Sequence, residues 1–83
     1  MKLAKITHKT NYIFILYFEN GESKESDLQA LIGKHVAIKD IHTAQVNTEW
    51  GCLEFNEGMV DIEPKTLYCY ACSMDVQNKI KAA

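Results

Sequence analysis

The alternation of apolar and polar residues over positions 52–62 constrains the fold more than any other feature of the sequence. Leu53 and Phe55 alternate with polar neighbours, and after a short interruption Val60 and Ile62 do the same. A β-hairpin that is buried on one side must place all four apolar side chains on that side, because a shift of one residue turns every side chain over. The hairpin must therefore pair Phe55 with Val60, which requires a loop with an even number of residues.

The loop of this hairpin contains Gly58, which supplies the positive φ that tight hairpin turns need. Two loops satisfy the even-number condition, residues 57–58 alone or residues 56–59. Glu57 is poorly suited to the first position of a two-residue type I′ turn, so we favour the four-residue loop. This register predicts that Glu54 and Asp61 face each other on the outer side of the sheet, with Cβ atoms roughly 4.5–5.5 Å apart.

Two opposed carboxylates have a functional and a structural interpretation. As a functional site, Glu54 and Asp61 would bind a divalent cation or act as a general acid and base. As a structural feature, they belong to a solvated sheet face, and Asp61 is also stabilised by the positive end of the helix that follows. We favour the structural interpretation of the pair.

The remaining segments predict an α+β protein with a largely antiparallel sheet of about five to six strands, a short mid-chain helix and a C-terminal helix. The chain is 83 residues long, so we expect one small domain spanning residues 1–83. Residues 34–42 have no interpretable pattern. The units that we do expect are, in chain order, a three-stranded meander over residues 1–26, a short helix over residues 27–33, a strand plus the β-hairpin over residues 43–62, and a helix over residues 64–78 that begins at a proline.

Local signals within these units indicate particular strands, turns and caps. Residues 12–18 are apolar at every position, which predicts a central strand that is buried on both faces. Asn20-Gly21 predicts a two-residue hairpin turn into a short, polar edge strand. Asp27 is a typical N-cap for the short helix, and Gly33 is expected to end that helix.

The charge of the chain argues against nucleic acids as ligands, and its N-terminus against secretion. The net charge is −2, and all nine basic residues are lysines. Arginine is the usual residue for bidentate contacts to guanine and phosphate, so its absence disfavours a DNA-reading surface. Lys2 and Lys5 interrupt any signal peptide, and the longest apolar run of seven residues is far short of the ~20 that a membrane helix needs. We therefore expect a soluble cytoplasmic protein with reduced cysteines.

The CxxC formed by Cys69 and Cys72 is the clearest candidate for chemistry, and it is a weak one. A redox cysteine pair sits at a helix N-terminus, whereas this pair falls more than one turn inside the predicted helix. A zinc site would need two more ligands, and Cys52 and a histidine do not have zinc-finger spacing. We expect these cysteines to act as small buried apolar residues. The sequence also has no nucleophile elbow and no phosphate-binding glycine loop, so we expect no catalytic residue, no cofactor, no metal and no enzymatic activity.

Trp50 is the only tryptophan, and it lies in a turn between Glu49 and Gly51. Exposed tryptophans are enriched at the energetic centres of protein interfaces. Alternatively, the Trp50 ring folds over the edge of the sheet and fills a small core. For partner binding, the candidate residues are Trp50, Glu49, Glu54 and Asp61.

A set of residues distributed along nearly the whole chain resembles a known family. It comprises the run Phe18-Glu19-Asn20-Gly21, the pair Asp27-Leu28, and then Val46, Gly51, Phe55, Gly58, Asp61, Pro64, Leu67 and Tyr68. In this pattern the chain resembles the uncharacterised bacterial family called domain of unknown function 2442. The chain departs from the family at two places: Phe55 stands where a tryptophan is often found, and residues 34–41 are shorter than the usual linker.

The resemblance implies a small α+β domain of bacteria or their phages, which some members fuse to a helix-turn-helix. Family genes often lie beside a gene for a second small protein, which implies a paired role such as that of an antitoxin. No catalytic residues can be carried over from the family. We therefore predict a non-enzymatic protein-interaction module, antitoxin-like or regulatory, that binds another small protein and is itself a monomer or weak homodimer. The alternative is a small metal- or ligand-binding domain that uses Glu54 and Asp61 or the cysteines.

Overall fold

Two antiparallel sheets of three strands each, together with helices, make up this α+β protein. The structure is a computed structural model that describes residues 1–82, with side chains through Ser73. Sheet A consists of β1, β2 and β3 and sheet B of β4, β5 and β6, both in sequence order. The elements are β1 (Leu3–Thr10), β2 (Ile13–Phe18), β3 (Ser23–Asp27), α1 (Gln29–Ile32), a 3₁₀ helix (Ile38–Thr43), β4 (Gln45–Val46), β5 (Leu53–Phe55), β6 (Val60–Ile62) and α2 (Pro64–Ala82).

The prediction of one sheet with five to six strands is wrong, because the two sets of strands do not form a common ladder. A hydrogen bond of 3.0 Å, which the Leu3 N–H donates to the Gly51 carbonyl, connects β1 to the turn before β5. In addition, β4 contains only two residues, and it pairs with β5 rather than with sheet A. Because Gly51 lies outside β5, this hydrogen bond does not continue the pairing from one sheet to the other.

In sheet A, β2 is the central strand, as its apolar composition predicts. Its side chains alternate between buried residues, such as Phe14, and half-buried residues, such as Ile15, so burial on both faces is only partly realised. The outer face is covered by lysine stems from β1: the Lys5 ammonium lies 5.4 Å from the centre of the Tyr17 ring. Lys9 reaches the carboxylate of Glu25 on β3 at 3.0 Å, so its stem crosses β2.

The turn between β2 and β3 has three residues, 19–21, and not the two predicted from Asn20-Gly21. The Gly21 N–H donates to the Phe18 carbonyl at 3.0 Å, and the Phe18 N–H donates to the Glu22 carbonyl at 2.9 Å. A two-residue type I′ turn needs positive φ at both central positions, and of this pair only Gly21 has it, at 90°. The loop is therefore a type I turn closed by a left-handed glycine.

The mid-chain segment is helical in two short pieces. The N-cap of α1 is Leu28 and not Asp27 as predicted, but Asp27 still contributes to the start of the helix, because the Gln29 N–H donates to its carboxylate at 3.0 Å. Gly33 follows the last residue of α1, but its φ of −58° is right-handed, and the turn continues until the Val36 N–H bonds to the Ile32 carbonyl. The uninterpreted residues 34–42 contain most of the 3₁₀ helix, and the strand expected from residue 43 begins only at Gln45.

One hydrophobic core receives side chains from both sheets and from the helices. The rings of Phe14 in sheet A and Phe55 in sheet B meet edge to face, 6.1 Å apart. Helix α2 begins at Pro64 as predicted, continues past the predicted end at residue 78, and buries Leu67 and Ala71. Met74, the third residue predicted on that face, lies outside the described side chains. Within the described residues, no helix is both long and apolar enough to span a membrane.

Candidate functional site

The hairpin of β5 and β6 has the register predicted from the alternation of its residues. Phe55 pairs with Val60, and Glu54 pairs with Asp61. The four-residue loop, residues 56–59, is held by a hydrogen bond of 3.2 Å from the Gly58 N–H to the Phe55 carbonyl. Because Leu53 and Phe55 are buried, Glu54 faces the opposite side of sheet B.

The outer face of sheet B is consequently polar and carries several carboxylates. Cys52 precedes Glu54 by two residues and Glu63 follows Asp61 by two, so each pair shares this face. Directly after β4, Asn47 is aligned with Cys52 by a hydrogen bond of 2.9 Å from the Asn47 N–H to the Cys52 carbonyl. The outer face therefore presents two neighbouring rows of polar side chains. One row contains Gln45, Glu54 and Asp61, and the next contains Asn47, Cys52 and Glu63.

A surface groove of about 530 Å³ runs over this face. Trp50 lines it with 67% of its surface exposed. The start of α2 and the first residue of the chain contribute the remaining lining. Its lining residues are Met1, Asn47, Trp50, Cys52, Glu54, Asp61, Glu63, Pro64 and Lys65. The groove thus combines an exposed aromatic ring with three carboxylates.

The turn that carries Trp50 is fixed by its own side-chain hydrogen bonds. The Asn47 side-chain oxygen accepts from the N–H groups of Glu49 and Trp50, each at 3.0 Å. The turn closes when the Gly51 N–H donates to the Asn47 carbonyl at 2.6 Å, with Gly51 at a φ of 71°. Trp50 is therefore held outward, and the alternative in which its ring fills the core is wrong.

The carboxylates of the groove differ in their partners. Glu54 accepts hydrogen bonds from the side-chain amides of Gln45 at 3.2 Å and Asn47 at 3.1 Å. Among the side chains that the structure describes, those of Asp61 and Glu63 have no hydrogen-bond or ion-pair partner. Partial burial raises the pKa of the Cys52 thiol, and the nearby charges of Asp61, Glu54 and Glu63 raise this pKa further. The three carboxylates therefore disfavour a further negative charge at Cys52.

The groove brings together three of the four residues proposed from the sequence for partner binding. Trp50, Glu54 and Asp61 line it, whereas Glu49 lies in the same turn but does not. Sequence reasoning missed Glu63 and Cys52. The alternation that placed Glu54 and Asp61 on the outer face would have found both, had it been continued by two residues at each strand.

The metal alternative receives no support from the geometry. The described part of the chain contains no group of three or more His, Cys, Asp or Glu side chains that could hold a metal ion. Cys69 is exposed and Cys72 is half-buried, so the expectation that both are buried is wrong. Two amide groups already donate to the oxygens of Glu54, so its pair with Asp61 offers a metal ion fewer free oxygens for direct coordination.

The fold and the groove define a small α+β domain with an exposed tryptophan beside an acidic sheet face. A family model with the description "Protein of unknown function (DUF2442)" matches residues 3–71, which includes both sheets and the first part of α2. The chain belongs to this family. No curated protein and no solved structure gives a significant match to the chain.

Proposed function

We propose that the protein is a small non-enzymatic interaction module of the bacterial cytoplasm, with an antitoxin-like or regulatory role, and that it binds another protein through the groove on sheet B. The observation that carries the proposal is Trp50, exposed over 67% of its surface on a turn that hydrogen bonds hold in place. A large aromatic side chain that lies mostly in water contributes little to folding, but it supplies much binding energy when a partner covers it.

The groove is suited to a protein partner by its rigidity and its position. Its floor is a paired β-sheet, and its Trp50 wall is a capped turn, so little conformational entropy is lost when a partner binds. Pro64 adds an apolar contact at the start of α2. Polar groups surround these apolar contacts, which is the usual anatomy of an interface.

The first test replaces Trp50 by alanine. The protein carries an affinity tag after its last residue and is recovered from its native host, where we expect a second protein at stoichiometric level. Trp50→Ala should lose most of that partner, by roughly 2 kcal/mol or more in binding free energy, while its amide NMR spectrum stays that of a folded protein.

Met59→Ala is the matched control, because Met59 is 85% exposed in the loop of the same hairpin but does not line the groove. This variant should retain the partner. Recovery of no stoichiometric partner, or equal recovery with Trp50→Ala and the unaltered protein, would contradict the proposed function.

A further inference from the structure

We infer that the groove on sheet B binds a cationic side chain, lysine or arginine, of the partner segment that docks there; this inference rests on the proposed function and names the chemistry of the partner. The groove has one aromatic wall, from Trp50, and a floor with three carboxylates. An aromatic face next to carboxylates is the arrangement that recognises a cation, through the ring's negative face and direct charge pairing.

The charges that line the groove are unbalanced. Glu54, Asp61 and Glu63 are three acidic groups, and the basic groups that line the groove are two, the Lys65 side chain and the α-amino group of Met1. Within the described residues, Lys65 forms no ion pair with any of them. Burial is the first cause of the raised pKa of the Cys52 thiol, and these carboxylates raise this pKa further, because they disfavour another negative charge beside them.

Two of the three carboxylates are available to a ligand. Asp61 and Glu63 are exposed and, among the described side chains, have no partner for their oxygens. Glu54 is oriented by the amides of Gln45 and Asn47, and it is therefore a fixed charge next to these two exposed carboxylates. A guanidinium or ammonium group that binds beside Trp50 would pair with the carboxylates of Asp61 and Glu63, which have no such partner among the described side chains.

The arrangement also costs stability in the free protein. Glu54 lies directly opposite Asp61, and like charges at opposed positions of an antiparallel pair are destabilising. Among the described residues, no cation forms an ion pair with either of them. A cationic side chain from a partner would relieve this repulsion, so binding gains both a new attraction and the loss of an existing repulsion.

The test uses Trp50 as its own reporter, because it is the only tryptophan in the chain. The full protein is titrated with a short capped peptide of alternating glycine and lysine, and in parallel with the matching glutamate peptide. We expect a saturable change in tryptophan fluorescence with the lysine peptide only, and an affinity that falls as salt rises because the attraction is screened.

Charge variants of the groove sharpen the test. The double variant Asp61→Asn/Glu63→Gln should bind the lysine peptide at least roughly fivefold more weakly, and Lys65→Gln should bind it more tightly, because a competing charge is removed. Glu57→Gln removes an acid from the hairpin loop outside the groove and should leave the affinity unchanged. Amide spectra confirm that each variant is folded.

Equal responses to the lysine and glutamate peptides, or unchanged binding by the double variant, would overturn the inference. Failure of the proposed function gives a different result. A stoichiometric partner that is lost with Trp50→Ala but retained by the double variant at every salt concentration would leave the interaction module standing and remove its cation specificity. Binding of the lysine peptide by a protein for which no cellular partner is recovered would support the cation specificity of the groove and contradict the proposed function.

Discussion

At the scale of single residues, Gly51 is the position where the backbone is most constrained. Its φ of 71° is left-handed, and an added Cβ would lie 2.8 Å from the Cα of Lys2. The close approach lets the Leu3 N–H reach the Gly51 carbonyl, which joins the two sheets. Gly51 therefore has two roles, one in the turn that carries Trp50 and one in the contact between β1 and that turn.

Gly51→Ala separates these two roles when it is compared with Gly58→Ala. Both positions have positive φ, but at Gly58 an added Cβ meets nothing closer than 4.0 Å. Gly58→Ala should cost about 1 kcal/mol for the left-handed backbone alone. Gly51→Ala should cost about 1–3 kcal/mol more, because the β1 backbone must move.

Urea denaturation of the two variants measures this difference. If Gly51→Ala and Gly58→Ala lose the same free energy of unfolding, the contact between Lys2 and Gly51 contributes nothing to stability.

At the scale of elements, helix α2 is attached to the β2–β3 turn through Tyr68. The Tyr68 ring meets the Phe18 ring edge to face at 5.2 Å, and its hydroxyl donates to both carboxylate oxygens of Glu22 at 3.0 Å. The hydrogen bond to Glu22, and then desolvation, raise the pKa of Tyr68. The fold therefore favours the protonated phenol.

The raised pKa of Tyr68 predicts a loss of stability in alkali. Its contribution is fully present below the pKa of an unfolded tyrosine, about 10, and it is lost as the pH rises through the higher pKa of the folded state. Tyr68→Phe should therefore make the free energy of unfolding fall less steeply with pH above about 10. Urea denaturation at several pH values from neutral to alkaline measures this slope.

Glu22→Gln provides the control for the alkaline prediction. The carboxylate of Glu22 is the first cause of the raised pKa of Tyr68. The double variant Glu22→Gln/Tyr68→Phe should therefore reduce the slope of the free energy of unfolding against pH little more than Tyr68→Phe alone does. A slope that Tyr68→Phe leaves unaltered would mean that the bond between Tyr68 and Glu22 does not persist in solution.

The hairpin and the sheets differ in how far the sequence predicts them, for a physical reason. The pairing of Glu54 with Asp61 follows from alternation within eleven residues, because burial of one face permits one register. The division into two sheets depends on where β4, only two residues long, and β1 meet in space. No local pattern contains that information, so the prediction of one sheet failed.

The candidate site, like the fold, can be predicted from the sequence only in part. The carboxylates and Trp50 belong to one stretch of chain and were predicted from it. The groove itself also needs Met1 and Lys65, which come to sheet B from the two sides of the fold. The sequence does not decide whether Trp50 is exposed, because the side chain of a tryptophan in a turn can face either the solvent or the core. In the structure Phe14 and Phe55 are fully buried, whereas Trp50 is exposed.

At the scale of the whole molecule, the carboxylates on the outer face of sheet B have opposite effects on stability and on binding. They lower the free energy of unfolding, and they strengthen the binding of a cationic partner. Asp61→Asn removes the repulsion from Glu54 and should raise the free energy of unfolding by about 0.2–1 kcal/mol at low salt. The same change should weaken partner binding, which is the usual cost of stabilising a binding face. Urea denaturation at low and high salt measures the first effect, and the difference should shrink in high salt.

Glu57→Gln is again the control, since Glu57 lies in the loop and has no directly opposed carboxylate. It should change the free energy of unfolding less than Asp61→Asn does. An Asp61→Asn variant that is less stable than the unaltered protein at low salt would show that the opposed acids do not strain the hairpin.

Because Met1 lines the groove, anything fused ahead of it emerges beside Trp50. A purification handle or fluorescent protein placed there would compete with a natural ligand for the same space, and a polyhistidine leader would also add groups that can become positively charged.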